Sequence, residues 1–396
     1  MNITITGIGT ISAIGNNCEE TLLSLKNCKT GISKLEILKT IHNELPAGEV
    51  KLNYDQLAQL AQISDNETKV RTPLLGLIAT REALKSAKLE NTNDLRIAFI
   101  SGTTVGGMDR MEQFYDDFTH NDTKNSFLYP HDIGDSSEFI ADHIGIFSYV
   151  TSISTACSSG ANAIILGAEL IKNDRFDIVV AGGCESLSVY HFNGFNSLKI
   201  LDNEICRPFD ESRAGLNLGE GAGYVVLESD KIAKKRGIKP ICKLSGYGNS
   251  CDAYHQTATS ENGEGPYLAM KEALKISQLK PQEISYINCH GTGTPNNDLT
   301  ESIAIKRLFG ENIPPFSSTK AYTGHTTSAS GGVEAVISIL CIQKGFIPPN
   351  LNFKTPIETT GLKPITEFKN AEIKHVMTNS FGFGGNDSSL IFSNLN

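Results

Sequence analysis

The sequence lacks several features that mark specialised classes of protein. Its nine cysteines include no Cys-x-x-Cys pair, so neither a disulfide framework nor a cysteine zinc site is predicted. No apolar run approaches the length of a membrane span, and the N-terminus has no basic region followed by an apolar segment. The net charge of -9 disfavours nucleic acid as a partner. We therefore expect a cytoplasmic protein with no membrane, nucleic-acid or metal-binding role.

What the sequence does contain is an ordinary globular composition. Its 396 residues, 39% hydrophobic and 20% charged, can bury a core in two or three domain-sized units. Runs typical of strands alternate with runs typical of helices, which indicates an α/β fold. The strands are expected at Ile3–Thr6, Arg96–Ile100, Ile178–Ala181 and Ala222–Leu227, and the helices at Pro73–Ala87 and Ala161–Lys172. Thr72 is expected to start the first of these helices.

Three segments of the first half have similar counterparts, in the same order, in the second half. Residues 96–104 resemble 285–294, residues 152–163 resemble 316–325, and residues 178–186 resemble 376–385. Such ordered repetition predicts a duplicated α/β unit. The polar connector around residues 234–240 then divides the chain into an N-terminal domain, residues 1–235, and a C-terminal domain, residues 236–396. The extra length of the first half, residues 108–142, is interpreted as an insertion rather than a core layer.

Cys157 is the residue that best indicates a function. It lies in the sequence Ser-Thr-Ala-Cys-Ser-Ser-Gly, between a strand-like run and a helical run. A thiol at a helix N-terminus faces free N–H groups and the positive end of the helix dipole, which stabilise a thiolate and an acyl oxyanion. This position predicts covalent acyl transfer, although a small buried core cysteine is the alternative.

Two histidines stand at glycine-rich strand ends far downstream. His290 begins His-Gly-Thr-Gly-Thr-Pro, a loop whose exposed amides and hydroxyls can hold a polar chain. His325 ends Ser-Thr-Lys-Ala-Tyr-Thr-Gly-His, five residues after Lys320. Taken alone, each could be an ordinary surface or core histidine. Metal ligation is disfavoured because the pair lacks i, i+4 spacing and no third ligand is evident.

Together these motifs resemble those of the type II β-ketoacyl-acyl carrier protein synthases, the elongating condensing enzymes of fatty acid and polyketide synthesis. The resemblance spans nearly the whole chain. It is carried by Thr6-Gly-Ile-Gly, Ser154-Thr-Ala-Cys-Ser-Ser-Gly, Ala181-Gly-Gly-Cys-Glu, Arg207-Pro-Phe-Asp, Leu218-Gly-Glu-Gly-Ala-Gly, His290-Gly-Thr-Gly-Thr-Pro-x-x-Asp, Ser318-Thr-Lys-x-x-Thr-Gly-His and Asn379-Ser-Phe-Gly-Phe-Gly-Gly.

The resemblance implies a fold, a reaction and partners. The fold would be the thiolase-like five-layer α/β/α/β/α architecture, built from two duplicated halves. The reaction would be decarboxylative condensation of malonyl-acyl carrier protein with an enzyme-bound acyl thioester, giving 3-oxoacyl-acyl carrier protein in fatty acid or polyene/polyketide synthesis. Acyl carrier protein would be the partner, and no cofactor is implied because its phosphopantetheine carries the substrates. Because the chain is itself acidic, an acidic carrier must meet a local basic patch.

The roles of the family's catalytic residues carry over to this sequence. Cys157 would hold the acyl chain, while His290 and His325 would bind the malonyl thioester carbonyl and promote loss of CO2. Lys320 and Glu334 match the lysine and glutamate that support this site. The backbone N–H groups of Cys157 and Phe383 resemble the acyl oxyanion hole, with the Phe383 ring as a gate.

The resemblance also implies positions that contact the substrate and the carrier protein. The substrate positions are Thr292 and Thr294 for phosphopantetheine, Val105 and Phe195 for the acyl tunnel, and Phe381 as a further substrate-binding residue. Lys69 and Arg71 fall where relatives place a basic cluster for the carrier protein. The chain departs from the family after the second histidine: many relatives have Leu-Leu-Gly-Ala-Ala, and this chain has Thr326-Thr-Ser-Ala-Ser330.

Two other functions are compatible with the fold. A non-catalytic chain-length-factor subunit would pair with an active synthase, but such subunits lack the thiol. Thiolase chemistry on coenzyme A esters would use a Cys-His-Cys set rather than Cys-His-His. We expect a homodimer, with a heterodimer with a homologous subunit as the alternative. The interface is expected in residues 108–153, which must cover the apolar residues Phe114, Phe118, Phe127 and Phe139.

Overall fold

The fold is built on a ten-stranded sheet. A computed structural model describes residues 2–64, 69–89, 92, 94–116, 118, 120 and 122–395. The strands are β1 (Ile3–Ser12), β2 (Ile97–Gly102), β3 (Tyr149–Ile153), β4 (Ile178–Glu185), β5 (Gly221–Ser229), β6 (Cys242–Cys251), β7 (Tyr286–Asn288), β8 (Phe316–Ser317), β9 (Phe346–Ile347), β10 (Lys369–Asn370), β11 (His375–Gly382) and β12 (Asn386–Ser393). Of these, β9 and β10 form a separate two-stranded sheet.

Helices occupy most of the connections between strands. They are α1 (Cys18–Lys26), α2 (Tyr54–Ala61), α3 (Arg71–Ser86), α4 (Met108–Phe114), α5 (Ile133–Ile144), α6 (Ser159–Lys172), α7 (Val189–Ser197), α8 (Asp230–Lys235), α9 (Glu264–Ser277), α10 (Pro295–Phe309), α11 (Lys320–Thr323) and α12 (Ser330–Lys344). Within the ranges described, no helix has the length and apolar character needed to cross a bilayer.

The strand order of the large sheet reveals the duplication. It runs β3-β2-β4-β5-β1 and then β6-β12-β11-β7-β8. Each half contributes five strands, which can be numbered one to five along the chain. From the outer edge of the sheet towards the seam, both halves then have the same order, 3-2-4-5-1. The three repeated segments predicted from sequence occupy equivalent strands: β2 matches β7, β3 matches β8, and β4 matches β11. The predicted duplication is confirmed.

The two halves of the sheet meet along a short seam. Residues Ile3–Ile5 of β1 pair antiparallel with Cys242–Leu244 of β6. Because this contact is short, the two halves of the sheet can form separate layers. Helices α6 and α12 pack between the two half-sheets and bury the apolar inner face of each in one shared core. Glycines allow the starts of these helices to approach closely: a Cβ on Gly331 would lie 2.4 Å from the backbone N of Ala161.

Helices also cover the outer faces of both half-sheets. The first is covered by α3, which packs on β1, β4 and β5, and the second by α9, which packs on β6 and β12 and is backed by α10. Each outer layer has its own apolar core. The layers therefore run α/β/α/β/α, as the resemblance implied, and the boundary near residue 235 stays a prediction.

Two expectations about the first half were wrong. Helix α3 begins at Arg71, with Val70 as its N-cap and no side-chain cap, so Thr72 lies inside the first turn. The segment 108–142 is not only an insertion, because its last part forms α5, which packs on α3 and buries Ile140 in the outer core. Tertiary packing rather than capping defines both features. Residues 117, 119 and 121 of this segment lie outside the described residues.

Candidate active site

Cys157 lies in a tight turn between β3 and α6. Ala156, the residue before it, has a φ of 51°, a left-handed conformation that is unusual for a residue with a side chain. Hydroxyl groups hold this turn: Ser158 Oγ donates to the carbonyl of Thr155 at 2.7 Å, and Ser159 Oγ donates to that of Ala156 at 2.6 Å. The serine-rich motif is therefore what fixes the direction of the thiol, which points into a cavity.

Burial changes the expected ionisation of the thiol. Cys157 is 5% exposed, and loss of solvent raises its pKa to about 11, more than Lys320 and the backbone N–H groups of Phe383 and Cys157 lower it. The backbone N–H groups at this turn do favour the thiolate, as expected, but burial outweighs them in the free thiol. A thiol that stays protonated needs a base close to it.

His325 supplies a nitrogen at the right place. Its Nε2 lies 3.1 Å from Cys157 Sγ, and its Nδ1 lies 3.0 Å from Ser330 Oγ. The backbone is clamped on both sides, since its N–H donates to the carbonyl of Asn217 and its carbonyl accepts from Gly219. Burial first, and then the charge of Lys320, hold the pKa of His325 well below its usual range. The ring is therefore neutral near pH 7.

His290 lies at the end of β7, beside His325. The two ring centroids are 5.4 Å apart. Glu301 on α10 holds the loop in place, because its carboxylate accepts from the backbone N–H of His290 at 2.9 Å and of Gly291 at 2.8 Å. Burial and the charge of Lys320 also lower the pKa of His290 well below its usual range. Sequence reasoning missed Glu301, whose only signal was its place one helical turn after Asp298 of the histidine motif.

Lys320 and Glu334 form a buried ion pair behind His290. Lys320 Nζ lies 2.5 Å from Glu334 Oε1, 2.6 Å from the carbonyl oxygen of His290 and 3.3 Å from its Nδ1. Burial raises the pKa of Glu334 to about 7, although Lys320 opposes this shift. The ammonium group thus faces one nitrogen of His290 and disfavours a positive charge on either histidine.

The cavity around these groups has a volume of about 300 Å³. Most of the residues expected in the site line it: Cys157, Phe195, His290, Thr292, Thr294, His325, Phe381 and Phe383. The Phe383 ring stacks on Phe195 with a centroid distance of 5.8 Å. The hydroxyls of Thr292 and Thr294 lie 2.8 Å apart. The site therefore joins an apolar wall, a hydroxyl pair and the Cys-His-His set.

Val105 is not part of this wall. It is half-buried in the turn before α4 and does not line the cavity.

The expected basic cluster for the carrier protein is not formed as predicted. Arg71 is 4% exposed and makes a two-fold contact with Glu220, with Nη2–Oε1 at 2.6 Å and Nε–Oε2 at 2.8 Å. A guanidinium buried in such a pair is unavailable for docking, so this assignment was wrong. Lys69 is half-buried, and its ammonium lies 2.7 Å from Asp55.

The Cys-His-His set also has the composition of a metal site. Cys157 Sγ and one ring nitrogen each of His290 and His325 lie within 4.8 Å of one another, so Cys157 is a third potential ligand that the sequence analysis did not identify. The ammonium of Lys320, 3.3 Å from His290 Nδ1, repels a second cation at this position. The arrangement therefore favours a nucleophile with two neutral proton donors or acceptors.

Comparisons with known proteins agree over nearly the whole chain. Residues 1–233 match the family model described as Beta-ketoacyl synthase, N-terminal domain, and residues 241–354 match Beta-ketoacyl synthase, C-terminal domain. A 3-oxoacyl-[acyl-carrier-protein] synthase 2 from Staphylococcus aureus is 33% identical over 99% of this chain and 98% of its own length. The enzyme of the same name from Vibrio cholerae is 33% identical, with 99% of each chain covered.

Solved structures with the same fold include ketosynthases described with a second subunit. The ishigamide ketosynthase/chain length factor has a TM-score of 0.93 at 29% identity, over 100% of this chain and 99% of that one. A ketosynthase in complex with its chain length factor from Xenorhabdus doucetiae has a TM-score of 0.87 at 31% identity, over 99% and 98%. A ketosynthase in complex with a type II acyl carrier protein has a TM-score of 0.87 at 27% identity, over 100% and 99%.

Proposed function

Since this chain belongs to the β-ketoacyl synthase family of condensing acyltransferases, we propose that it condenses malonyl-acyl carrier protein with an acyl group held on Cys157. The product is 3-oxoacyl-acyl carrier protein, with release of CO2. The observation that carries this proposal is the meeting of Cys157, His290 and His325 in one cavity, with both histidines neutral.

The first step is acyl loading. The Cys157 sulfur attacks the carbonyl carbon of an acyl thioester on the carrier protein, a new S–C bond forms, and the pantetheine sulfur leaves. His325 Nε2, 3.1 Å from the thiol, takes its proton and returns one to the departing sulfur. The backbone N–H groups of Cys157 and Phe383, which face this sulfur, stabilise the oxyanion.

The second step is decarboxylation. The malonyl thioester carbonyl accepts hydrogen bonds from His290 and His325, whose rings both face the cavity. The C–C bond to the carboxylate breaks, CO2 leaves, and the electron pair forms an enolate that the two N–H groups stabilise. The enolate carbon then attacks the acyl carbonyl on Cys157, the S–C bond breaks, and Cys157 leaves as a thiolate that takes up a proton from water in the cavity. Lys320 supports this step by keeping both histidines neutral.

The remaining lining residues admit the substrates. Thr292 and Thr294 present hydroxyls to the phosphopantetheine arm, and Phe195 and Phe381 supply apolar wall. Phe383 is followed by Gly384, which has a φ of 81°, a conformation that glycine adopts without strain. This freedom suits a ring that moves aside for the acyl chain. Enzymes of this family need no cofactor, because the carrier protein presents both substrates.

The acyl carrier protein is the proposed macromolecular substrate. Two sets of relatives support it: synthases named for the acyl carrier protein, and a ketosynthase solved in complex with a carrier protein. Whether the acyl group comes from fatty acid or from polyene/polyketide synthesis depends on the carrier that loads Cys157.

For the assembly, we propose a dimer through the first half. Strand β3 is at the outer end of the sheet, and its Tyr149 is 42% exposed. An open edge of this kind can pair with a second chain. Of the phenylalanines that we expected the interface to cover, Phe118 is 47% exposed. Phe114 and Phe127 instead pack on each other, with ring centroids 4.7 Å apart.

A homodimer is our first choice, and light scattering of the purified chain tests it. A particle of twice 42.8 kDa supports the homodimer. A monomer that gains activity when a homologous subunit is added refutes it, in favour of the heterodimer that the chain-length-factor complexes exemplify.

A non-catalytic chain-length-factor role is the second candidate, favoured by the high similarity to a ketosynthase/chain-length-factor structure. Intact-mass measurement separates the two roles. The chain is incubated with acyl-acyl carrier protein and then with malonyl-acyl carrier protein. A catalytic subunit gains one acyl mass on Cys157 and loses it as 3-oxoacyl product appears. A chain that never gains this mass, alone or with a partner subunit, is not a synthase.

A further inference from the structure

The two histidines differ in what faces the ring nitrogen away from the cavity. His290 Nδ1 lies 3.3 Å from the ammonium of Lys320, which can only donate. His325 Nδ1 lies 3.0 Å from the hydroxyl of Ser330, which can donate or accept. Both contacts are buried, with Lys320 and Ser330 each 1% exposed. A buried imidazole takes the tautomer that its partner allows.

The partner of His290 therefore permits one tautomer. With Lys320 donating towards Nδ1, the ring proton of neutral His290 sits on Nε2. This suits a histidine that only donates to the malonyl carbonyl.

The partner of His325 permits both tautomers. Thr326 Oγ1 lies 3.3 Å from Ser330 Oγ, and both residues are buried. When Nδ1 carries the proton, it donates to Ser330, and the Ser330 hydroxyl donates to Thr326. When Nδ1 carries no proton, Thr326 donates to Ser330, and Ser330 donates to Nδ1. Nδ1 and the Ser330 hydroxyl keep a partner in either direction, so neither tautomer leaves Nδ1 unpaired.

We propose that Ser330 is a positioning residue that lets His325 use both tautomers in turn, and this rests on the proposed function. During loading, Nε2 receives the thiol proton of Cys157 while Nδ1–H is bonded to Ser330, and Nε2 then passes that proton to the leaving pantetheine sulfur. Before decarboxylation, Nε2 takes up a proton from water in the cavity, while the Nδ1 proton passes to Ser330 Oγ, that of Ser330 passes to Thr326 Oγ1, and that of Thr326 leaves to water. Ser330 then donates to Nδ1, and Nε2–H faces the malonyl carbonyl.

This role is particular to the polar sequence that follows the second histidine. Ser330 is the first residue of α12, and Thr326 comes directly after His325, so both hydroxyls belong to the segment that departs from the apolar family pattern. An alanine at residue 330 would leave Nδ1 without this partner. Lys320 cannot replace it, since its ammonium is engaged with His290 and Glu334.

Nitrogen NMR of the protein with 15N-labelled histidine tests the proposal directly. In the enzyme with a free Cys157 thiol, we expect His325 to carry its proton on Nδ1. After acylation of Cys157 from the carrier protein, we expect the proton on Nε2. His290 should carry Nε2–H in both states. A His325 that shows the same tautomer before and after acylation overturns the proposal, and this measurement needs no substitution.

Kinetics of matched variants provide the second test. For Ser330→Ala we expect kcat for acyl loading and for CO2 release each to fall about tenfold, the loss expected for one buried hydrogen bond. KM for malonyl-acyl carrier protein should stay unchanged, and Ser330→Thr should restore both rates. Ser338→Ala is the control, because Ser338 is a buried serine on the same helix that contacts Asn288 instead.

The outcomes separate this inference from the proposed function. Parental rates in Ser330→Ala overturn the role of Ser330 even if the parent condenses normally. A parent that loads no acyl group and releases no CO2 refutes the proposed function itself. If Ser330→Ala does not fold, the NMR measurement of the His325 tautomer in the unsubstituted protein still tests the proposal.

Discussion

The junctions that follow β3 and β8 occupy equivalent places in the two halves, yet they have diverged in length and chemistry. After β3, residues 154–158 lead directly into α6 and place the thiol of Cys157 at the turn. After β8, residues 318–329 include α11 and a short 3-10 helix before α12 begins, and they carry Lys320 and His325. In the proposed function, the short junction supplies the nucleophile, and the long one supplies the groups that take up and return its proton.

The outer edges of the two half-sheets show the same divergence. Strand β8 is buried, and the segment after β9 covers it: the N–H of Ile365 donates to the carbonyl of Phe316, and Ser317 Oγ donates to that of Pro348. Strand β3 has an exposed Tyr149 at the other end of the sheet. The two halves therefore share one scaffold, of which one edge is closed within the chain and the other is the edge at which we propose a second subunit.

The largest effect is expected at the short junction. Cys157→Ala should abolish condensation, because no other group of the site can carry the acyl thioester, while some release of CO2 from malonyl-acyl carrier protein remains. Product formation and labelled CO2 are measured separately. The exposed Cys28→Ala variant should behave as the parent. A Cys157→Ala protein that elongates acyl groups at a normal rate would show that the nucleophile lies elsewhere.

The histidines should give the next largest effect. His290→Ala or His325→Ala should each lower CO2 release by ~10²–10³-fold, the usual loss when one donor to a developing oxyanion is removed. Acyl loading of Cys157 should stay measurable in a single-turnover assay. The control is His131→Ala, at an exposed histidine that does not line the cavity. Equal loss of both steps in either variant would indicate a structural role instead.

The buried ion pair should control the pH dependence. Lys320→Met alone would leave Glu334 buried and unpaired, at a cost of ~3–5 kcal/mol, so we choose Lys320→Met with Glu334→Gln. Without the ammonium, the pKa values of His290 and His325 rise towards their usual range. A histidine must be neutral to take the thiol proton, so acyl loading should be lost at a higher pH on acidification than in the parent.

An exposed ion pair provides the control for this change. Lys275 and Glu272 lie 3.0 Å apart on α9, and the double variant Lys275→Met/Glu272→Gln should keep the parental pH profile. If the Lys320/Glu334 variant loses acyl loading at the same pH as the parent on acidification, the electrostatic role of Lys320 is contradicted.

The smallest effect is expected at the proposed gate. Phe383→Ala should change the relative rates of loading for short and long acyl donors, because it removes a ring from the cavity mouth rather than a charge. Thermal stability should change little if the ring is mobile. Phe383→Tyr keeps the ring and should keep the parental preference. Identical loading rates across donors in Phe383→Ala would exclude gating.

Local patterns predicted much of the fold and the catalytic set. Repeated strand–glycine segments indicated the duplication, and the strand order confirms it. Most of the site residues that were found lie in contiguous motifs, in which glycines and small or hydroxyl-bearing residues indicate a turn; Phe195 and Glu334 lie outside these motifs. Glu301 and Ser330 were not found, because their importance comes from hydrogen bonds to residues that lie elsewhere in the chain.

The sequence alone determined the class of fold, the family and the residue types of the chemistry, since these depend on local order along the chain. Only the tertiary structure decided their electrostatic states and availability. It brought Cys157 and His325, 168 positions apart, to 3.1 Å, and it buried Arg71 against Glu220, where the sequence had suggested a docking surface. The physical reason is that the pKa of a thiol and the reach of a charge depend on burial and on partners distant in sequence.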